Sequence, residues 1–170
     1  MLNKILVATD ESASSEWAFD TALAMAKSLK AELLLVHVLE ASAYDSPKQP
    51  LVSAESFSKS IESSTQKEYE QEWQQFEDRY ATLLKQRQAA AAVAGVTATY
   101  LQAMGSPEQK IREVAKTNNV DLIVVGNRDR TNHNSISNYL VSHAPCSVTV
   151  VHPKASYQSA AQVNLEAVAV

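Results

Sequence analysis

The chain has 170 residues, of which 45% are hydrophobic and 20% charged, enough for one domain with a buried core and incompatible with a disordered chain. Fifteen basic against nineteen acidic side chains give a formal charge of −4, which offers no electrostatic footing for nucleic acid or an anionic membrane surface. No apolar run reaches the roughly 18–20 residues of a membrane span, while the single Cys146 and an N-terminus that meets Asp10 before any signal-peptide core is complete predict a cytoplasmic protein.

In chain order, Ile5-Leu6-Val7-Ala8 is a strand-length apolar run. Asp10, Glu11 and Ser12 then offer capping oxygens to a helix over residues 13–29, where Ala18, Ala22, Met25, Ala26 and Leu29 share one narrow face. Leu33-Leu34-Leu35-Val36-His37-Val38 has the near-continuous apolar pattern of a strand covered on both sides. Residues 41–56 are polar, carry Pro47 and Pro50, and predict a mobile loop in which Ser46 is a candidate for phosphorylation.

Phe57, Ile61, Tyr69, Trp73, Phe76, Tyr80, Leu83 and Leu84 recur at helical spacing and predict a long amphipathic helix that stops at Gly95. A strand follows over residues 96–101. Ser106-Pro107-Glu108-Gln109 combines a capping serine, a proline at the first helical position and a glutamine three residues after the cap, so a helix starts there and turns Ile111, Val114 and Ala115 inward. That helix ends near Asn118-Asn119, and Leu122-Ile123-Val124-Val125-Gly126 is the next strand. Residues 127–134 are wholly polar, 135–143 form a short helix, and 146–151 give a last strand after Pro145. Residues 1–152 read as one domain and 153–170 as an appended tail.

Strands alternating with helices predict an α/β fold: an open parallel sheet with helices on both faces and right-handed crossovers. Ligands of such sheets bind beyond the carboxyl ends of the strands. That rule directs attention to Thr9, Asp10, His37, Val38, residues 102–105 and the segment from Gly126 onward.

Three stretches, in order and with this spacing, resemble the universal stress protein family over about residues 2–151. They are Lys4-Ile5-Leu6-Val7-Ala8-Thr9-Asp10, then Gly105-Ser106-Pro107 leading to Asp121-Leu122-Ile123-Val124-Val125-Gly126, and finally His143-Ala144-Pro145-Cys146-Ser147-Val148. The resemblance implies a five-stranded parallel sheet in the order 3-2-1-4-5 and a homodimer, often joined through the last strand. Val148, Thr149, Val150 and Val151 are the candidate dimer edge, and an apolar edge strand is by itself an invitation to pair.

One branch of the family binds ATP through a loop of form G-x2-G-x9-G-[ST] after the fourth strand, where glycines admit phosphates to backbone amides and a helix N-terminus. Gly126 matches the first glycine, but Asp129 replaces the second, and the interval to Asn134, which takes the place of the third, is about five residues short. An acidic side chain in such a loop repels phosphate. Ser135-Ile136-Ser137 keeps the hydroxyl-bearing helix start, Asn134 tolerates left-handed geometry, and Arg128 offers a phosphate contact.

Thr9, Asp10 and Val38 match the family's adenosine-contacting positions, Asp10 facing ribose hydroxyls and Val38 the adenine slot. The candidate nucleotide-binding residues are thus Ala8, Thr9, Asp10, Val38, Gly126, Arg128, Asn134, Ser135, Ile136 and Ser137. The expected function is a stress-response regulatory dimer holding an adenine nucleotide (AMP, ADP or ATP), with AMP or another short adenylate favoured over ATP. The alternative is a nucleotide-independent dimer acting through contacts with a regulatory protein. Slow ATP hydrolysis ranks third, since no metal site and no grip on a γ-phosphate is legible. His37 reads as a satisfied core histidine and Cys146 as a buried structural thiol.

Overall fold

The structure, a computed structural model, describes residues 1–50, 59–127 and 135–152, with the side chains of 59–63 outside that set. The elements run β1 (Lys4–Ala8), α1 (Ala13–Leu29), β2 (Glu32–Leu39), α2 (Lys59–Val93), β3 (Ala98–Met104), α3 (Pro107–Thr117), β4 (Leu122–Gly126), α4 (Ile136–His143) and β5 (Ser147–Val151). The five strands form one parallel sheet in the order β3-β2-β1-β4-β5. Sheet and order match the expectation.

Alternation along each strand builds the two layers, because successive side chains leave opposite faces of the sheet. Ile5, Val7, Leu33, Leu35, Leu122 and Val124 pack with Ala18, Phe19, Ala22 and Ala26 of α1 and with Leu84 and Ala91 of α2. Leu6, Leu34, Val36, Ile123 and Val125 face the other way, onto Ile111, Val114 and Ala115 of α3 and Leu140 of α4. The alanine face of α1 is what brings that helix close to the sheet. A third cluster of Leu39, Phe76 and Tyr80, flanked by Trp73 and Leu83, ties α2 to the end of β2. At the start of the sheet, the Asp121 carboxylate accepts from the amides of Asn3 (2.7 Å) and Lys4 (3.0 Å), locking β1 beside β4.

Four local expectations change. β3 begins at Ala98 and runs to Met104, because it follows β2 residue for residue from Leu33 to Leu39. Val96 instead closes the end of α2, its amide donating to the Ala91 carbonyl. Leu29 is exposed, lying in the last turn before the chain reverses at Lys30 (φ 56°). Ser106 does not cap α3 through its side chain; its hydroxyl donates to Glu108 Oε1 at 2.6 Å, leaving Pro107 as the start signal. Cys146 is half-buried rather than buried, and desolvation raises its thiol pKa, so it stays protonated.

Within the expected loop, residues 41–46 form a bonded turn in which the Ser46 hydroxyl, 5% exposed, donates to the carbonyls of Ala41 (2.7 Å) and Ala43 (2.8 Å). Phe57, the loop 128–134 and the tail 153–170 lie outside the described residues. Among the described residues, no helix is long and apolar enough to cross a membrane.

Candidate functional site

A cavity of about 360 Å³ opens at the carboxyl ends of β1, β2 and β4, where a parallel sheet places its ligands. Eight of the ten predicted residues line it together: Ala8, Thr9, Asp10, Val38, Gly126, Ser135, Ile136 and Ser137. The other two, Arg128 and Asn134, lie outside the described residues.

The β1 wall is held rigidly. The Thr9 amide donates to Val36 O at 2.7 Å, extending the sheet one residue past the strand. Asp10 is not the cap of α1. Ser12 is, its hydroxyl accepting from the Ser15 amide, while Asp10 Oδ1 accepts from the Ser12 amide at 2.7 Å and from the Ser12 hydroxyl. This short polar turn sets Asp10 at the cavity rim.

Gly126 ends β4 against the first turn of α1. A Cβ at Gly126 would sit 2.1 Å from the Ser14 carbonyl oxygen, so the glycine is demanded by close backbone approach. Across the opening, α4 points its N-terminus toward the cavity with Ser135 as cap, the Ser135 hydroxyl accepting from the Asn138 amide at 3.3 Å and lying 2.9 Å from the Ser137 hydroxyl. A helix start with two hydroxyls is suited to an anion. Pro107 and Ile111 of α3 and Val125 supply apolar lining.

The β2 wall holds His37, which the sequence placed at the strand end without a role, and contacts around it that the sequence did not reveal. His37 is 7% exposed; its Nδ1 lies 2.7 Å from the Thr9 carbonyl oxygen, which fixes the proton on Nδ1, and its Nε2 has no partner among the described residues. Burial lowers its pKa, so the ring is neutral. The ring stacks on Tyr80 of α2 at 3.7 Å between centroids and 10° between planes. Tyr80 donates to Asp45 Oδ2 at 2.7 Å, and desolvation, followed by that carboxylate, pushes the phenol up. Burial alone would raise Asp45, but the Tyr80 hydroxyl and the charge of Arg79 hold it below the ordinary carboxylate value.

Arg79 bridges the rims, its Nε donating to Glu11 Oε1 at 2.8 Å and its Nη2 to Glu11 Oε2 and to Asp45 Oδ2 at 3.2 Å. The only early signal for this group was the aromatic stripe of α2, since Asp45 and Glu11 are far from it in sequence. The acidic residues Asp10, Glu40 and Asp45 line the cavity, and no described lysine or arginine does. Among the described residues, no group of three or more His, Cys, Asp or Glu side chains gathers as a metal site.

The candidate dimer strand lies where expected in the sheet: β5 is at one end, paired among the described residues to β4 alone, with Val148, Thr149, Val150 and Val151 half-buried.

The model of the universal stress protein family matches residues 1–152. A putative universal stress protein of Staphylococcus haemolyticus is 34% identical over 155 residues, covering 86% of this chain and 82% of the relative. The solved universal stress protein UspA from Lactobacillus plantarum is 27% identical with a TM-score of 0.63, over 88% of this chain and 97% of that one. The fold is shared with a universal stress protein in complex with cAMP, at 19% identity and TM-score 0.64 over 89% of this chain and 97% of that one. It is shared too with an Arabidopsis thaliana family protein with AMP bound, at 19% identity and TM-score 0.60 over 93% and 97%. The chain belongs to the universal stress protein family.

Proposed function

We propose that this chain is a regulatory protein that binds an adenine nucleotide, AMP or another short adenylate in preference to ATP, and acts without turnover. The observation that carries this reading is the single cavity lined by Thr9, Asp10, Val38, Gly126 and the α4 start. Its β1 side offers a carboxylate to sugar hydroxyls, its floor is apolar, and its far side offers a helix N-terminus and two serines to one phosphate. The acidic lining on the β2 side disfavours a longer phosphate chain. Two proteins of the same fold carry cAMP and AMP, which supports the ligand class. A homodimer joined at β5, working in the cytoplasm, belongs to the same proposal, supported by a half-buried apolar edge strand and a lone cysteine. Occupancy then shifts the loops around the cavity and changes what a regulatory partner meets.

Calorimetric titration with AMP, ADP and ATP tests the reading. Affinity falling in that order supports it, and no heat from any of the three overturns it. The acidic lining also favours a second reading, a nucleotide-independent dimer. Sedimentation of a dimer that gives flat titrations would establish that one instead.

A further inference from the structure

Arg87 of α2 is 9% exposed, yet among the described residues it forms no ion pair. Burial gives the guanidinium a desolvation cost that the nearby charges of Asp10, Glu16 and Asp20 offset only in part, and a leucine would fill the same helix face without it. Its hydrogen-bond partners are neutral oxygens of Asp10, in the connection between β1 and α1, and of Ser15, in the first turn of α1. Nη1 donates to the Ser15 hydroxyl at 2.8 Å and to the Ser15 carbonyl at 3.4 Å, Nη2 donates to the Asp10 carbonyl at 3.1 Å, and the guanidinium lies over the Phe19 ring.

The Ser15 hydroxyl in turn accepts from the Asp10 amide at 2.9 Å and donates to the Ala8 carbonyl at 3.4 Å. The Asp10 backbone is therefore gripped at both ends, its N–H through Ser15 and its carbonyl by Arg87, while Oδ1 is held by the Ser12 amide. Asp10 lines the cavity and Arg87 does not. We infer that Arg87 is a positioning residue for the ligand site, aiming the Asp10 carboxylate at vicinal hydroxyls of a bound sugar without touching the ligand. The inference rests on the nucleotide reading above.

The planar fork is what the task requires, since one guanidinium reaches two acceptors at fixed spacing and a lysine ammonium does not. The test compares AMP with 2′,3′-dideoxy-AMP by calorimetry on the full chain, as wild type, Arg87→Met, Arg87→Lys and Ser15→Ala. Wild type is expected to prefer AMP about tenfold to a hundredfold, the worth of hydrogen bonds to a charged acceptor. In each variant that ratio falls below about threefold while dideoxy-AMP binds as before. A purely structural arginine weakens both ligands alike, and that result overturns the inference while leaving the cavity reading intact. Equal wild-type affinity for the two ligands overturns it as well. Wild type that binds neither ligand removes both readings. Should Arg87→Met fail to fold, the milder Arg87→Lys and Ser15→Ala decide by the same ratio.

Discussion

Replacing Gly126 by alanine separates two explanations of one residue. As a phosphate-loop glycine it would matter only when ligand is bound. The structure gives it a different duty: an added Cβ would meet the Ser14 carbonyl oxygen at 2.1 Å, its carbon at 2.4 Å and its Cβ at 2.8 Å. Backbone cannot swing aside as a side chain does, so β4 and the start of α1 must part. Overpacking of this kind costs about 1–3 kcal/mol, and contact with main chain places it near the top, about 3 kcal/mol. For a chain of this size that is a fall in Tm of about 6–12 °C. Gly95→Ala is the matched control, since Gly95 has φ +79° but nothing within 4 Å of its Cβ. Its cost is the left-handed penalty alone, about 1 kcal/mol. Urea and thermal unfolding of both variants without nucleotide decide the matter. If Gly126→Ala is no less stable than Gly95→Ala, the close-approach argument is wrong, and the residue is reserved for a ligand after all.

The neutral His37 ring makes stability depend on pH. Its folded pKa is below the ordinary 6.5, so the unfolded chain binds the extra proton and stability falls as pH drops below 6.5. Asp45 and Asp121, also held low, respond only near and below their usual 3.8. Urea midpoints from pH 8 to 5 should therefore slope downward in wild type and flatten in His37→Phe; parallel profiles would refute the assignment. Arg79→Ala should cost less than about 1 kcal/mol, because its ion pairs with Glu11 and Asp45 are exposed, and a loss above 2 kcal/mol in unfolding would contradict that. Leu84→Ala, at full burial between α2 and the sheet, should cost about 2–5 kcal/mol by the same measurement.

Local chemistry explains how much the sequence revealed. The strands were legible because Ile5-Leu6-Val7 and Leu122-Ile123-Val124-Val125 are buried on both faces, a pattern a half-solvated strand does not produce. The ends of β3 were not, since Tyr100 and Met104 on that edge strand are exposed and mixed with polar residues, so pairing with β2 rather than hydrophobicity sets its limits. At the site, Thr9, Asp10, Val38 and Gly126 sit at or just past the carboxyl ends of strands and could be placed by the topology rule. That rule reaches His37 too but not its contacts, and Asp45, Tyr80 and Arg87 could not be placed by it, because their meaning arises between elements. His37 looked like one polar residue in an apolar run until Thr9 O and the Tyr80 ring came against it. Asp45 looked like loop until Tyr80, 35 positions away, bonded it.

The two sides of the cavity are built differently, and that difference assigns roles to its parts. The floor is sheet, with Val36 and Val125 buried and locked by parallel pairing, so it cannot yield without unfolding the core. The lips are connections, which open at far lower cost than strands. One helix restrains both: α2 holds the β1–α1 connection through Arg87 and the turn at 41–46 through Tyr80, with Arg79 reaching each lip. Movement of α2 along its axis would strain all three attachments together, whereas movement of either lip alone breaks only its own. Whatever enters the cavity and displaces a lip is therefore felt first at residues 79–87, on the helix whose preceding turns stand exposed to a partner.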